Sequence, residues 1–387
     1  MQQLPCCNQR VVVIRMSEKQ ISIVIPTYQE VENIPLIAQE IDSVLSNENY
    51  EVIFVDDDSQ DGSFDAVTKL AHDLPTRIIV RTEERGLSTA VIRGIEEAQG
   101  KYIVVMDCDL SHPATAIPHM VEKLKQDEAD FVVGSRYVEG GSFDEDWGFF
   151  RLLNSKVATW LALPLCHVKD PMSGFFSFER SRLESTNDLA PTGYKIGLEI
   201  MVKGEFSKPA EQPIHFKDRE FGESKLDFKE QLLYLKHLRR LYSFKFPTAS
   251  EFIQFGLVGG TGFIIDSLIY FTLQMFFGLN HTMARAISFW PAVTWNWFWN
   301  RTVTFTLRGK SKKLTQWLSF VMTSLFGFAI NFGSYSLLTD HVPFFMENNF
   351  AAFVIGVLLG MGFNFMMARV FVFKQLNESV KNETRLK

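Results

Sequence analysis

Four long apolar stretches near the carboxyl end constrain the fold of this chain more than any other feature. They lie at about residues 252–273, 284–304, 317–338 and 350–372. Each approaches the roughly twenty residues that a helix needs to cross a bilayer. The second is interrupted by Pro291 and carries four tryptophans that are typical of interface anchors, namely Trp290, Trp295, Trp297 and Trp299. We therefore expect four membrane-spanning helices in the last third of the chain.

The apolar stretches also repeat in pairs. Four residues recur at one constant spacing: Phe255, Gly262, Asp266 and Tyr270 return as Phe320, Gly327, Asn331 and Tyr335. Three more recur in the alternate stretches: Asn296, Arg301 and Phe305 return as Asn364, Arg369 and Phe373. This pattern predicts a duplicated helical hairpin. Since Asp266 is costly inside a membrane unless it faces the bundle or water, we expect it either to join helices or to handle a lipid phosphate.

Positive charges predict the orientation of these helices. They precede the first stretch as Lys236, Arg239, Arg240 and Lys245, follow the second as Arg301, Arg308, Lys310, Lys312 and Lys313, and fill the tail as Lys374, Lys381, Arg385 and Lys387. The other two connections, near Asn280 and at 340–349, contain no Lys or Arg. Lys and Arg accumulate on the cytoplasmic side, so both termini and the part before the first helix are expected there. Residues 226–246 form a basic, amphipathic stretch that suits either a membrane surface or a plain linker helix.

The preceding part of the chain alternates short apolar runs with helical patterns. The predicted strands are Ile21–Ile25, Val52–Val55, Arg77–Val80, Tyr102–Met106 and Phe131–Val133, and the predicted helices cover about 30–46, 62–73, 88–98 and 115–126. Such alternation predicts an α/β fold with a mainly parallel sheet that is covered on both faces. Ligands bind beyond the carboxyl ends of the strands in sheets of this kind.

Unusual polar residues follow four of these predicted strands. The segments are Pro26–Glu30, Asp56–Gly62, Asp107–Asp109 and Gly134–Arg136. Two carboxylates one residue apart, as in Asp107 and Asp109, can share a hard cation such as Mg²⁺ or Mn²⁺, which completes its shell with substrate phosphates. The net charge of −6 argues against a nucleic-acid partner. The four cysteines, Cys6, Cys7, Cys108 and Cys166, show neither a metal-site spacing nor a disulfide framework.

Six stretches resemble, in order, the family 2 glycosyltransferases of the GT-A fold, and among them most closely the dolichyl-phosphate (polyprenyl-phosphate) mannose synthases. They read IVIPTYQEVENI, FVDDDSQDGS, MDCDLSHP, VVGSRY, KDPMSGF and DREFGESKL, within residues 23–226. The repeated helical part is similar to the GtrA-like four-helix membrane module. The resulting domains are a tail at 1–20, a GT-A domain at 21–225, an amphipathic segment at 226–248, a transmembrane domain at 249–375 and a cytoplasmic tail at 376–387.

The resemblance implies a role for each matching residue. The donor nucleotide-sugar would be bound by Pro26, Tyr28, Glu30, Val55, Asp57, Asp107, Cys108, Asp109, Arg219 and Lys225. Asp107 and Asp109 would hold the metal. The acceptor phosphate would face Arg136, Arg151 and Ser155, and the catalytic set would be Asp109, Arg136 and Asp170.

The implied reaction transfers a single hexose, with inversion, onto dolichyl or polyprenyl phosphate at the cytoplasmic membrane face. GDP-mannose is the favoured donor, and UDP-glucose is the alternative. A processive polysaccharide synthase would carry a Gln-x-x-Arg-Trp motif, which this sequence lacks. A membrane flippase or scaffold with an inactive transferase half is the alternative from another class. The intact Asp107–Asp109 pair and the basic loop around Gly222 count against it.

Overall fold

The computed structural model describes residues 19–144, 149–184, 189, 195–204, 206–217, 228–306, 308–309 and 311–374. The chain divides into two compact units, Met1–Lys245 and Phe246–Lys387. The predicted tails at 1–20 and 376–387 lie almost wholly outside the described residues, as do Arg219 and Lys225.

The first unit is an α/β domain. Its strands are β1 (Ile21–Thr27), β2 (Tyr50–Asp56), β3 (Thr76–Val80), β4 (Tyr102–Val105), β5 (Phe131–Ser135), β6 (Ser142–Phe143), β7 (Phe176–Glu179), β8 (Pro209–Pro213) and β9 (His215–Phe216). Its helices are α1 (Asn33–Leu45), α2 (Ser63–Leu70), α3 (Leu87–Glu97), α4 (Ile117–Lys125), α5 (Phe149–Ala162), α6 (Ser181–Glu184), α7 (Ile196–Lys203) and α8 (Phe228–Lys245). All five predicted strands and all four predicted helices of this region are present.

Seven of the strands form one sheet in the order β3-β2-β1-β4-β7-β5-β8. The pairs β1–β2, β1–β4, β2–β3 and β5–β8 are parallel, whereas β7 runs antiparallel between β4 and β5. The mainly parallel sheet confirms the predicted fold class. Because β7 is antiparallel to both β4 and β5, these two strands run parallel to each other. The carboxyl ends of β1, β2, β4 and β5 therefore lie at one edge of the sheet.

Helices cover both faces of this sheet, as the continuous apolar strands require. Ile23 and Ile25 of β1 pack with helices α1 and α4, while Val24 between them packs with α3 on the opposite face. This alternation follows the two-residue repeat of a strand. Burial on both faces holds the strands rigidly, and the loops at their carboxyl ends are therefore fixed in position.

Helix α8 packs on the first unit. The hydroxyl groups of Tyr234 and Tyr242 donate to carbonyl oxygens near the end of α5, at 2.7 and 2.8 Å. Leu238 and Leu241 are buried in the core, whereas Leu232 and Leu235 are exposed. The predicted apolar face of this segment is therefore divided, and only part of it remains open to another surface.

The second unit is helical. It consists of α9 (Pro247–Phe277), α10 (His281–Trp299), α11 (Lys313–His341), the short α12 (Pro343–Glu347) and α13 (Asn349–Met367). Helices α10 and α13 each continue into a π-helical turn, Asn300–Thr304 and Ala368–Val372. Within the described part of the chain, three helices are long and apolar enough to cross a membrane, namely α9, α11 and α13 with its π turn. Helix α10, which contains Pro291, is not among them.

The two hairpins of this unit pack in the same way at the repeated positions. Asn296 of α10 lies so close to Gly262 of α9 that a Cβ atom at Gly262 would overlap with it, and Asn364 lies against Gly327 in the same manner. The equivalent residues Phe305 and Phe373 stack on each other, with ring centroids 4.6 Å apart. Small residues let two helix backbones approach closely, so the repeated glycines fix the helix spacing.

Polar contacts are exchanged between the hairpins. Arg369 donates from Nε to Glu251 at 2.9 Å, and Arg301 donates to Gln316, which occupies the position equivalent to Glu251. Arg308 adds a two-pronged contact to the Glu251 carboxylate, at 2.8 and 2.9 Å. Each hairpin thus supplies the acceptor for an arginine of the other, as in an isologous interface.

Asp266 pairs with Arg285 of the neighbouring helix. Asp266 was expected either to join helices or to handle a lipid phosphate, and in the structure it joins two helices. The repeat equivalent, Asn331, lies against Gly356 and Gly360 of α13. The acid and the amide are both used to join the two helices of a hairpin.

Candidate active site

The loops after β1 and β2 are joined by hydrogen bonds. The backbone N–H of Gln29 donates to Ser59 Oγ at 2.9 Å, and that of Val31 donates to Asp61 Oδ2 at 3.2 Å. Asp61 also accepts from the backbone and hydroxyl of Ser63 at the start of α2. Burial alone would raise the pKa of Asp61, but the bonds from Ser63 and Val31 stabilise its charge and lower the pKa overall.

Several residues of these loops adopt a left-handed backbone. Gln29, Asp58, Gln60 and Leu110 have φ between 55° and 61°, and they follow β1, β2 and β4. A non-glycine residue in this conformation costs on the order of 1 kcal/mol and persists only where its surroundings impose it. Local strain is thus concentrated at the edge where the sequence predicts a binding site.

Asp57 is tied to the neighbouring strand end. Its carboxylate accepts from Arg81 Nε at 2.9 Å and from the backbone of Gly86 at 2.7 Å. Arg81 also donates to the Gly86 carbonyl at 3.0 Å, so the three residues form a closed ring ahead of α3. Val55, two residues before Asp57, has no exposed surface. Arg81 was not predicted, although it follows a strand end like the predicted polar residues.

Pro26, Tyr28 and Glu30 lie at the end of β1, as predicted. Tyr28 is exposed, and Glu30 accepts from the side-chain amide of Asn33 at 2.6 Å. Glu30 is also close enough to raise the pKa of the Cys108 thiol, after burial and together with Asp109 and Asp107. The β1 and β4 loops therefore meet, and their acids share one region.

The Asp-x-Asp motif follows β4 directly. Asp109 is buried and accepts from the backbone N–H and hydroxyl of Ser111, at 3.2 and 2.5 Å. The Ser111 carbonyl accepts from the backbone of Lys217 at 3.2 Å. Lys217, the last described residue before the predicted basic loop, is thus held close to the segment that carries Asp109.

His112 supports the Asp107 backbone. Its Nδ1 accepts from the Asp107 N–H at 3.1 Å, while its ring stacks on Phe175 and meets the edge of Phe216. Burial lowers the pKa of His112, although Asp107 and Asp109 oppose this shift. A neutral ring with an unprotonated Nδ1 suits the bond that it accepts. No sequence pattern singled out His112, and its position after the two acids is the available signal.

The two acids fit a divalent cation that is shared with a diphosphate. A Cβ atom added to Gly174 would lie 3.3 Å from Asp107 Oδ2, so the glycine leaves a cradle beside this carboxylate. Burial and the nearby acids raise the pKa of the Cys108 thiol, which disfavours the thiolate that a metal ion would bind. Among the described residues no group of three His, Cys, Asp or Glu side chains could hold an ion alone. Hard oxygen ligands with substrate phosphates completing the shell are typical of Mg²⁺.

Arg136 and Asp170 form a two-pronged ion pair. Arg136 Nε and Nη2 each donate to Asp170 at 2.8 Å, and the Arg136 backbone donates to Oδ2 at 3.1 Å. Asp170 has no exposed surface. Burial alone would lower the pKa of Arg136, but Asp170 raises it, so the guanidinium stays charged. Asp170 thus fixes the direction of Arg136.

Ser155 also lies near Arg136. Its Oγ is 3.0 Å from the hydroxyl of Tyr137, and the Arg136 guanidinium packs over the Tyr137 ring. Arg151 lies one turn earlier on α5, but its side chain is outside the described residues. The structure therefore brings Ser155 to the predicted site and does not place the Arg151 side chain.

Lys195 is a further cation of this region that sequence reasoning missed. Its ammonium group donates to the Met172 carbonyl at 2.8 Å. Loss of hydration lowers its pKa to about 8, and Arg136 adds to this effect while Asp107 and Asp170 oppose it. The signal in the sequence is weak, because Lys195 is a single lysine immediately before helix α7, which itself carries Glu199 and Lys203.

Comparisons with known proteins agree on both parts of the chain. Residues 22–184 match the family model described as glycosyl transferase family 2. Residues 254–378 match the model described as the GtrA/DPMS transmembrane domain.

Curated relatives extend this match. A dolichol-phosphate mannosyltransferase of Pyrococcus furiosus is 37% identical over 357 residues, which are 90% of this chain and 98% of the relative. One from Saccharomyces cerevisiae is 43% identical and covers 58% of this chain and 88% of the relative. Among solved structures, glucosyl-3-phosphoglycerate synthase of Mycobacterium tuberculosis aligns with a TM-score of 0.44 and 20% identity, over 58% of this chain and 79% of that one.

Proposed function

This chain belongs to the family 2 glycosyltransferases with a GtrA/DPMS membrane domain, and from that premise we propose that it transfers one mannose from GDP-mannose to dolichyl or polyprenyl phosphate. The chain is a glycosyltransferase. The mannose and the dolichyl acceptor are supported by the names of relatives that it matches over nearly their whole length. Guanosine as the base is our own inference from the resemblance of its motifs.

The observation that carries this proposal is the convergence of acids and cations at one sheet edge. Asp107 and Asp109 follow β4, and Arg136 follows β5, held there by Asp170. Arg136 lowers the pKa of Lys195, while Asp107 and Asp170 raise it. That all three act on one ammonium group supports a common site. An edge with both signs of charge suits a diphosphate that binds through a cation and through basic side chains.

The reaction needs alignment more than proton transfer. A lipid phosphate is already anionic at neutral pH and can attack the anomeric carbon directly, which inverts its configuration. Tyr28, Glu30 and Asp57 bind the nucleoside from the β1 and β2 ends, with Pro26 and the buried Val55 shaping that pocket and Cys108 contributing its backbone. Arg136, Arg151 and Ser155 receive the acceptor phosphate. Asp170 acts by holding Arg136.

Asp107 and Asp109 are the residues that hold Mg²⁺ or Mn²⁺ together with the donor. The ion, when bound, supplies positive charge to the leaving diphosphate. Arg219 and Lys225, which lie outside the described residues, are proposed to add cations from a loop that begins at Lys217, beside Ser111. The chain's own part is to screen two phosphates from each other while they approach.

The membrane arrangement follows from the helices and their charges. We place α10 as a fourth span, because Asp266–Arg285 and Gly262–Asn296 join it to α9 at separated points. With Lys and Arg concentrated before α9, after α10 and in the C-terminal tail, the catalytic domain and both termini face the cytoplasm. The domain limits of 21–225 and 249–375 remain part of the proposal.

A donor panel tests the function. Purified full-length protein receives Mg²⁺ or Mn²⁺, dolichyl phosphate and radiolabelled GDP-mannose or UDP-glucose, and the labelled lipid is counted. We expect label from GDP-mannose alone, and none after the cation is chelated. Label from UDP-glucose alone would replace the proposed donor, and no label from either would favour a flippase or scaffold. Protease protection in sealed vesicles of known sidedness tests the orientation. Cleavage of the catalytic domain only by protease on the non-cytoplasmic side would contradict it.

A further inference from the structure

Lys195 is a charged group that the proposed roles leave unexplained. It stands at the beginning of α7, and the segment that it contacts through Met172 runs from Asp170 to Gly174. This segment forms one wall of the site, because Asp170 holds Arg136 and Gly174 lies against the Asp107 carboxylate. The ammonium group is therefore anchored to a wall of the site and is close enough to Asp107 and Asp170 to interact with both.

The charges of the site leave a need for such a cation. Asp170 takes the Nε and Nη2 edge of Arg136, so this edge is not available to a phosphate. The two substrates bring a diphosphate and a monophosphate to the same place. Anions of the same sign must be screened by positive groups that are already in position, since reorientation during the reaction would cost free energy.

We propose that the Lys195 ammonium group contacts a phosphate oxygen of the substrates, either in the donor diphosphate or in the acceptor monophosphate. This inference rests on the proposed function and adds a substrate-contacting residue to it. Lysine suits the task, because its ammonium is a compact charge with three donors and can keep the Met172 contact while it turns another N–H to a phosphate.

Helix α7 is built to hold Lys195 in place. Glu199, one turn further on, has no exposed surface and forms ion pairs with Lys203 at 2.8 Å and with Arg240 of α8 at 2.6 Å. His237 of α8 lies 3.8 Å from the same carboxylate. A helix fixed through a buried carboxylate presents its first residue in a defined position, which is what a preorganised anion contact needs.

A purely structural role would be to hold the 170–174 segment through the Met172 carbonyl. The two roles differ in what they do to substrate affinity. A residue that touches a phosphate changes the affinity for the ligand that carries it and leaves the affinity for a ligand without phosphate unchanged. A residue that only holds the wall acts through the order of that segment, so its loss lowers the melting temperature along with any change in affinity, whereas a phosphate contact changes affinity at an unchanged melting temperature.

The experiment compares Lys195→Met and Lys195→Arg with a matched control. Lys19→Met removes the same kind of bond, since Lys19 donates to the Tyr50 carbonyl at 2.8 Å, at the other end of β1. Calorimetry with Mn²⁺ measures the binding of GDP and guanosine, with UDP beside them so that a wrong base does not hide the effect. Transfer assays give kcat and the KM for dolichyl phosphate, and thermal unfolding reports on folding.

A diphosphate contact predicts that Lys195→Met weakens GDP binding about tenfold while guanosine binding is unchanged. A contact with the lipid phosphate predicts unchanged GDP binding and a KM for dolichyl phosphate about tenfold higher. In both cases Lys195→Arg recovers most of the loss and Lys19→Met behaves like the wild type. Changes of less than about twofold in both affinities would overturn the inference, with or without a fall in kcat.

These measurements also separate this inference from the proposed function. Nucleotide binding needs neither lipid nor transfer. A wild-type protein that binds GDP but transfers no mannose would contradict the function, while its Lys195 variants would still report on the diphosphate contact. A wild-type protein that transfers mannose, with Lys195 variants that do the same at unchanged affinities, would contradict only the inference.

Discussion

Both units of the protein bury charged side chains, but they arrange them differently. In the helical unit, acids meet arginines of other segments: Glu251 accepts from Arg308 and Arg369, and Asp266 pairs with Arg285. In the α/β unit, Asp170 pairs with Arg136 in the same way, but Asp107 and Asp109 are gathered beside one another, and both act on the pKa of His112. Grouping like charges costs free energy that folding alone does not require. The difference separates charges that hold helices together from charges kept for a ligand.

The largest expected effect comes from the grouped acids. Asp109→Asn keeps an oxygen that can accept from Ser111 but removes the charge that the cation needs. We expect a fall in kcat/KM of about a thousandfold or more, with an unchanged melting temperature. Transfer assays and thermal unfolding of the purified variant measure both quantities.

Asp130→Asn is the matched control, because Asp130 is also a buried acid but serves only the fold. It accepts from the backbone groups of Ser207 and Lys208, at 2.6 and 2.9 Å. Its variant should lose stability and keep its kcat. If Asp109→Asn retained more than about a tenth of the activity, the acids would not be kept for a cation.

Glu251 tests the opposite side of the comparison. Glu251→Gln leaves the nearly buried Arg308 without its anionic partner, which should cost about 3 kcal/mol of stability. We expect a lower melting temperature in detergent and an unchanged kcat for the protein that remains folded. Gln316→Met at the equivalent repeat position removes a hydrogen bond to Arg301 and should cost about 1 kcal/mol. A loss of transfer at full stability would instead assign Glu251 to function.

A smaller effect than that of Glu251→Gln is expected from helix spacing. Gly327→Ala places a methyl group against Asn364 and should cost about 2 kcal/mol. Gly333→Ala on the same helix meets nothing within 4 Å and should be neutral or slightly stabilising, because alanine favours the helix. The melting temperatures of the two variants give the comparison directly. Equal values would mean that the repeated glycine does not set the distance between the helices.

Much of the fold could be predicted because the relevant patterns are local. The strands are short apolar runs that end in turn residues. Neighbouring residues such as Ile23 and Val24 face opposite sides of the sheet, and both are hydrophobic. Strand β7 was not predicted, because its antiparallel position between β4 and β5 depends on distant partners. The helical repeat was visible because glycine and asparagine recur at fixed spacing, but the exchange between Glu251 and Arg369 was not, since only packing brings them together.

The same division explains the site. Asp107 and Asp109 could be predicted, because both follow one strand directly. Arg81 and Lys195 could not, because each acts through a contact with a residue from another segment. His112 lies in the same loop as Asp107, but its bond to the Asp107 backbone depends on the folded shape of that loop. The pairing of Arg136 with Asp170 also escaped prediction, although both residues were named. Local motifs therefore indicate which residues to propose for the site, while the contacts between those residues depend on tertiary structure.

The exchange of polar contacts between hairpins has a consequence for biogenesis. Glu251 leaves the ribosome long before Arg369, which lies 118 residues later. Until the second hairpin has been inserted, the Glu251 carboxylate lacks Arg369, one of its two arginines. In the same way, Arg301 has no acceptor until Gln316 has been synthesised. The bundle therefore closes only after both hairpins have been synthesised.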